Sequence, residues 1–227
     1  MNAPVFALQA DVSQDPLLRY SACKAMARGY AESKKTDKTR LTHARAYCTR
    51  IITAYWDALA QAKGSKLKVR AVPTGVTLTT VPVDAQRVAE ETGRLVASFP
   101  VEDAGYLIGS IYTVMLPSGL RSELGAYYTP PPLVSRLLDQ AEGAGFDFGM
   151  GSAIDPACGG GAFLAPVALR MWSRARESGA ADEWIFRSLV KRLRGIELDP
   201  FAAWMSRALL EAALMPLCIA AKKRLPE

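Results

Sequence analysis

The chain has 227 residues, of which 50% are hydrophobic and 22% charged, with a mean hydropathy of +0.06 and a net charge of +6. These values exclude a disordered, collagen-like or coiled-coil chain and leave room for one large domain or two small ones. No stretch holds the roughly 18 uncharged apolar residues that a membrane span needs.

The N-terminus, MNAPVFALQADVSQD, has neither a basic region nor a sustained apolar one, so no secretory signal is expected. A first helix is expected over residues 16–31, with Leu17, Leu18, Ala22, Ala25 and Met26 as apolar positions. The clearest helical period follows over residues 36–62. There Leu41, Ala44, Cys48, Ile51, Ile52, Tyr55, Trp56 and Leu59 recur at spacings of three and four, and Gly64 and Ser65 stop the pattern. His43, the single histidine, falls near the start of this helix, where a structural or solvated role is expected. Positive charge collects in this region: residues 1–70 hold 13 Lys and Arg against 5 Asp and Glu. Such a block suits a polyanion, and it equally suits a solvated helix face.

Residues 63–83 read as a linker or short hairpin, because VTLTTVPV is β-branched and Gly64, Pro73, Gly75 and Pro82 punctuate it. A helix should start at Asp84 as N-cap and run to about Ser98. Pro100 breaks the chain. Another helix is expected over residues 102–116, ended by Pro117 and Gly119.

The texture changes from residue 125. GAYYTPPPLVSRLLDQ is a Gly-aromatic turn entering a helix, with Thr129 as N-cap, Pro130 in the first turn, and Leu133, Val134, Leu137 and Leu138 as the apolar face. After a loop, SAIDPACGGGAFLAP reads as strand, glycine turn and helix. Helical stretches over residues 162–178 and 181–193 lead to RGIELDP, a second short strand. PFAAWMSRALLEAALM then reads as a helix. Strand, helix and strand at these lengths form a parallel crossover unit, so the expected class is α/β.

Two segments carry chemistry. In Asp155-Pro156-Ala157-Cys158-Gly159-Gly160-Gly161, glycines let the backbone turn tightly and approach a ligand, and the helix that follows offers unpaired N–H groups. In Gly195-Ile196-Glu197-Leu198-Asp199-Pro200, an acid after the second strand is placed to accept hydrogen bonds from ribose hydroxyls. A nicotinamide dinucleotide site needs a third glycine where Leu164 stands and an acid about 20 residues on, whereas Glu197 lies 36 residues after Gly161. The plainer readings stay open. Asp155 and Asp199 each precede a proline and suit turns, Thr129 suits a cap, and Glu197 suits a surface. The four cysteines, Cys23, Cys48, Cys158 and Cys218, form no C-x-x-C pair, which favours a reducing cytoplasm over a zinc site or disulfide framework.

GAYYTPPPLV, IDPACGGGAFL and GIELDPFAA, in this order and spacing, resemble the adenine-specific DNA methyltransferases of restriction-modification systems, over residues 104–214. The resemblance is nearest to large modification subunits and fused enzymes. It implies a mainly helical region over residues 1–122, then the first part of a Rossmann-like methyltransferase domain with an incomplete parallel sheet over residues 123–227. It implies S-adenosylmethionine as cofactor. Tyr128 and Thr129 would lie near its methionine end, with Thr129 bonding the carboxylate, and Asp155 near its amino group. Ala157, Gly159 and Gly161 would bring backbone close, with Cys158 as a small residue in the turn and not a nucleophile. Glu197 would bind the ribose, and Leu198 and Asp199 would flank the adenine. Double-stranded DNA, and a restriction or specificity subunit, are the implied partners, with no membrane.

The family's chemistry is carried by a later Asn- or Asp-Pro-Pro-aromatic motif, which receives the flipped base. The only asparagine here is Asn2, and no Asp-Pro-Pro occurs. The expectation is therefore that this chain alone is inactive and stops before that motif. Two parallel strands would leave open edges for a downstream segment or a partner to complete. The alternative is a non-catalytic relic or interaction module that keeps the cofactor motifs.

Overall fold

The helical periods of the sequence become helices with identifiable start signals. The computed structural model describes residues 15–226. In α1 (Pro16–Glu32) the Asp15 carboxylate accepts the Leu17 N–H at 2.8 Å, and Pro16 occupies the first turn. At α2 (Asp37–Ala62) Thr36 and Thr39 close a reciprocal capping box, each side chain accepting the other's N–H at 3.2 Å. The apolar stripe of α2 is buried as its spacing predicts, through Ala44, Cys48, Ile51, Ile52, Tyr55 and Trp56.

The connection after α2 is not a hairpin: residues 63–82 form no strand. Two of its carbonyls are taken by indole side chains. Trp56 Nε1 donates to Leu67 O at 2.8 Å and Trp204 Nε1 to Arg70 O at 3.0 Å. Next come α3 (Val83–Val96), a short 3-10 turn (Val101–Asp103) and α4 (Ala104–Met115). Asp84 sits inside the first turn of α3 and is not its cap. Pro82 holds the cap position with its fixed φ, and Asp84 faces the positive end of the helix dipole. Pro117 does not end helical structure either, because it serves as the cap of a further short helix, α5 (Ser118–Glu123).

Helices α2 and α3 cross at Gly93. A β-carbon there would collide with Ile51 O and stand 2.8 Å from the Ala54 β-carbon. Gly93→Ala is expected to destabilise the chain by about 1–3 kcal/mol, the usual range for overpacking. Urea unfolding followed by circular dichroism reads this directly, and unchanged stability would show that the crossing can open.

The Gly-aromatic turn enters α6 (Pro131–Gly143) one residue later than expected. Pro130, not Thr129, occupies the cap position, and its carbonyl accepts Leu133 N–H and Val134 N–H at 3.0 and 3.2 Å. Strand β1 (Ala153–Asp155) pairs in parallel with β2 (Leu193–Gly195), with Ala153 opposite Leu193 and Asp155 opposite Gly195. Between them lie α7 (Leu164–Glu177) and α8 (Asp182–Arg192), and α9 (Pro200–Ala213) and α10 (Met215–Ala220) follow. The second strand is shorter than RGIELDP. Pairing continues past it only through Ile196 N–H to Asp155 O and Cys158 N–H to Ile196 O, both 2.9 Å. Beyond that point Glu197 and Asp199 bond their own backbone and turn the chain into α9.

The described chain is thus mostly helical, with one small parallel sheet, and is α/β in the broad sense. One core gathers α1 to α4 around Tyr47, Ile52, Trp56, Ile108 and Tyr112, and includes Phe201, Trp204 and Met205 of α9. A second gathers α6, α7, α8 and α10 around Val134, Phe148, Met171, Ile185 and Leu217, with Leu210 of α9 packed against it. Helix α9 therefore serves both cores. Ile154 of β1 and Ile196, just past β2, remain 61% and 53% exposed. Among the described residues no helix is long and apolar enough to cross a membrane.

Candidate functional site

The parallel pairing of β1 and β2 places the turns that follow them side by side. These are the carboxyl ends of the strands, where open α/β sheets bind ligands. The glycine turn after β1 adopts left-handed backbone at Gly159 (φ 49°) and Gly161 (φ 82°). It is also packed from behind. A β-carbon on Gly159 would stand 2.7 Å from the Tyr128 ring, and one on Gly161 would stand 2.9 Å from Ser206 Oγ of α9. Gly105 at the start of α4 has equally little room, since its β-carbon would be 2.9 Å from the Gly161 backbone. The protein's own packing therefore already requires these glycines.

Tyr128 lies on this turn, and burial pushes its phenol far above the usual range, with the nearby Cys48, Glu197 and Asp199 adding to the effect. Thr129 makes no hydrogen bond among the described residues. It lines, with Tyr106, Leu138, Ala162 and Pro166, a cavity of about 680 Å³. A second cavity of about 660 Å³ is lined by Cys158, Leu164, Gly195, Glu197 and Trp204. Cys158 is buried against Gly195, and burial raises its thiol, which keeps it protonated at neutral pH.

The acidic residues divide by role. Asp155 accepts the Ala157 N–H at 3.1 Å. Burial raises its carboxyl above the ordinary value, the Ala157 bond opposes this, and the negative charge of Glu197 adds to it. Glu197 is held at both oxygens: Oε2 accepts the Gly159 N–H at 2.8 Å and Oε1 the Asp199 N–H at 2.9 Å. Each oxygen keeps a further lone pair for a donor such as a ligand hydroxyl. Leu198, beside it, is 91% exposed.

Asp199 is placed differently from the expectation that it flanks a ligand. It is 3% exposed and faces the interior. Its Oδ1 accepts the Phe201 N–H at 3.0 Å, capping α9, and Arg45 Nη2 of α2 at 2.9 Å. Its Oδ2 accepts the Tyr112 hydroxyl of α4 at 2.9 Å. No local sequence pattern connects Arg45 and Tyr112 to this region. Arg45 belongs to α2 and Tyr112 to α4, both remote in sequence from this turn.

The basic block is partly directed inward as well. Arg40 Nε donates to Met115 O at 2.7 Å, Arg45 pairs with Asp199, and Arg70 Nη2 donates to Leu225 O at 2.7 Å. The exposed Lys35 and Lys38 lie at the start of α2, and the exposed Lys63, Lys66 and Lys68 follow its end. Lys68 folds back onto α2 and pairs with Asp57 at 2.8 Å, and Arg50 lies exposed in the middle of that helix. Among the described residues no three His, Cys, Asp or Glu side chains gather as a metal site. The chain matches no family model, no curated protein and no solved structure.

Proposed function

We propose that this chain binds S-adenosylmethionine at the turns following β1 and β2, as the cofactor-binding part of a Rossmann-like, adenine-specific DNA methyltransferase of the restriction-modification type. The observation that carries this reading is the 2.8 Å bond from Gly159 N–H to Glu197 Oε2. It joins two motif segments 38 residues apart into one site at the carboxyl ends of the strands.

The residues suit such a ligand. The two held oxygens of Glu197 have free lone pairs for two ribose hydroxyls. The exposed Leu198 side chain offers an apolar face for the adenine. Asp155, with Glu197 near it, favours a cation, which suits the methionine ammonium. Tyr128, packed against Gly159 and Gly160, and Thr129 beside it would serve the methionine end, while Asp199 would support the site from within the core. The bound cofactor supplies an activated methyl group. The residues here bind and orient it. The sequence contains no Asn- or Asp-Pro-Pro-aromatic segment, so transfer to a flipped adenine in double-stranded DNA is proposed only for a complete enzyme, with any restriction or specificity subunit.

Titration calorimetry tests the reading. One S-adenosylmethionine is expected to bind per chain. Glu197→Ala should weaken it by about tenfold to a hundredfold, as for the loss of a hydrogen bond to a charged group. Absence of heat with the wild-type chain, or equal affinity in the variant, would sink the proposal.

A further inference from the structure

We infer that Arg45 and Tyr112, both from the helical region, are positioning residues for Glu197 and make that region an integral part of the ligand site. In its affinity arm the inference rests on the S-adenosylmethionine reading; its geometric arm does not. A continuous chain of hydrogen bonds carries it. Arg45 Nη2 and the Tyr112 hydroxyl, at 2.9 Å each, take one oxygen apiece of Asp199. The same carboxylate accepts Phe201 N–H and so fixes the backbone between the second turn and α9. The amide of Asp199 then donates to Glu197 Oε1, and Glu197 Oε2 accepts from Gly159. Arg45 lies 154 residues from Asp199 in sequence, and Tyr112 lies 87 residues from it.

The surroundings make this chain stiff. The side chain of Asp199 is 2% exposed and that of Arg45 15% exposed, so water competes little for either. Tyr112 is fully buried, with its ring 5.2 Å from that of Phe201. A glutamate side chain on an exposed turn ordinarily samples several rotamers. Here one of its two anchors is a backbone amide whose own place is set by α2 and α4. A ligand that bonds Glu197 meets a carboxylate already in position, and preorganisation of this kind raises affinity without a new contact.

A purely structural role would hold α2 and α4 to α9 and leave the Glu197 anchors untouched, so the test reads those anchors. Tyr112→Phe removes one hydroxyl and keeps the ring. In hydrogen exchange it is expected to speed exchange at the Gly159 and Asp199 amides by about tenfold, with α3 amides such as Val96 unchanged. Wild-type rates at Gly159 and Asp199, or acceleration only in step with α3, would overturn the inference. In calorimetry with S-adenosylmethionine, Tyr112→Phe should raise Kd by about threefold to thirtyfold, a partly transmitted hydrogen bond. Arg45→Met should weaken binding more than Arg45→Lys, which keeps the charge. Unchanged Kd in Tyr112→Phe and Arg45→Met, while Glu197→Ala still weakens binding, would overturn the inference and leave the cofactor reading standing. If the wild-type chain binds no S-adenosylmethionine yet exchange at Gly159 responds to Tyr112→Phe, the cofactor reading falls and the positioning role holds.

Discussion

Asp199→Ala is expected to lower the unfolding free energy by about 3–5 kcal/mol, the usual range when one partner of a buried ion pair is removed. Three bonds disappear together: the cap on Phe201, the pair with Arg45 and the bond from Tyr112. The cap alone is worth about 1 kcal/mol. The larger part comes from Arg45, whose guanidinium is left without a counter-charge in a site where it is only 15% exposed. A double variant separates the two effects. Arg45→Met with Asp199→Ala should lose less than the two single losses combined, because no orphan charge remains. Urea unfolding at neutral pH, followed by circular dichroism, measures each. A loss below about 1 kcal/mol for Asp199→Ala would mean that the pair behaves as an exposed one.

The second large effect is expected at Glu211, another buried carboxylate of α9, at 2% exposure. It holds Arg224 through two bonds, 2.7 and 2.8 Å, and Arg70 Nε lies 4.0 Å away. Arg70 in turn donates to Leu225 O, so one carboxylate secures both the connection after α2 and the residues after α10. Arg224 also lies over the Trp56 ring at 5.6 Å. Glu211→Ala is expected to destabilise by about 2–4 kcal/mol, less than at Asp199 because both arginines are about a quarter exposed and can turn to water. Limited proteolysis should cut after α10 sooner than in the wild-type chain, since Arg224 then loses its anchor. Equal melting temperatures and equal proteolysis would show that the apolar contacts of Leu225 suffice.

Local pattern explains why much of the fold is legible without coordinates. The spacing from Ala44 to Trp56 admits one buried helix face, and α2 buries that face. Asp15 and Thr36 mark helix starts through bonds made within three residues. The glycine segment and the acid after β2 are readable because their chemistry is concentrated in a few adjacent positions. The misplacements share a cause as well. Of the linker and the hairpin that residues 63–83 suggest, the linker forms, with Trp56 and Trp204 partnering the carbonyls of Leu67 and Arg70. Thr129 has the right chemistry for a cap, yet Pro130 stands one step closer to the helix. RGIELDP has strand residues, but the side chains of Glu197 and Asp199 bond the backbone and end the pairing after Gly195.

By itself, the sequence determined the longer helices, the parallel crossover and the two turns that carry the candidate site, because periodicity, caps and glycine conformation act over a few residues. Only the tertiary structure decided which acid faces a ligand and which faces the core. Glu197 and Asp199 are two residues apart and carry the same charge. One rests on the amide of Gly159, and the other is drawn inward by Arg45 and Tyr112. Nothing local distinguishes them, since the charges and hydroxyls that do so arrive from helices 87 to 154 residues away.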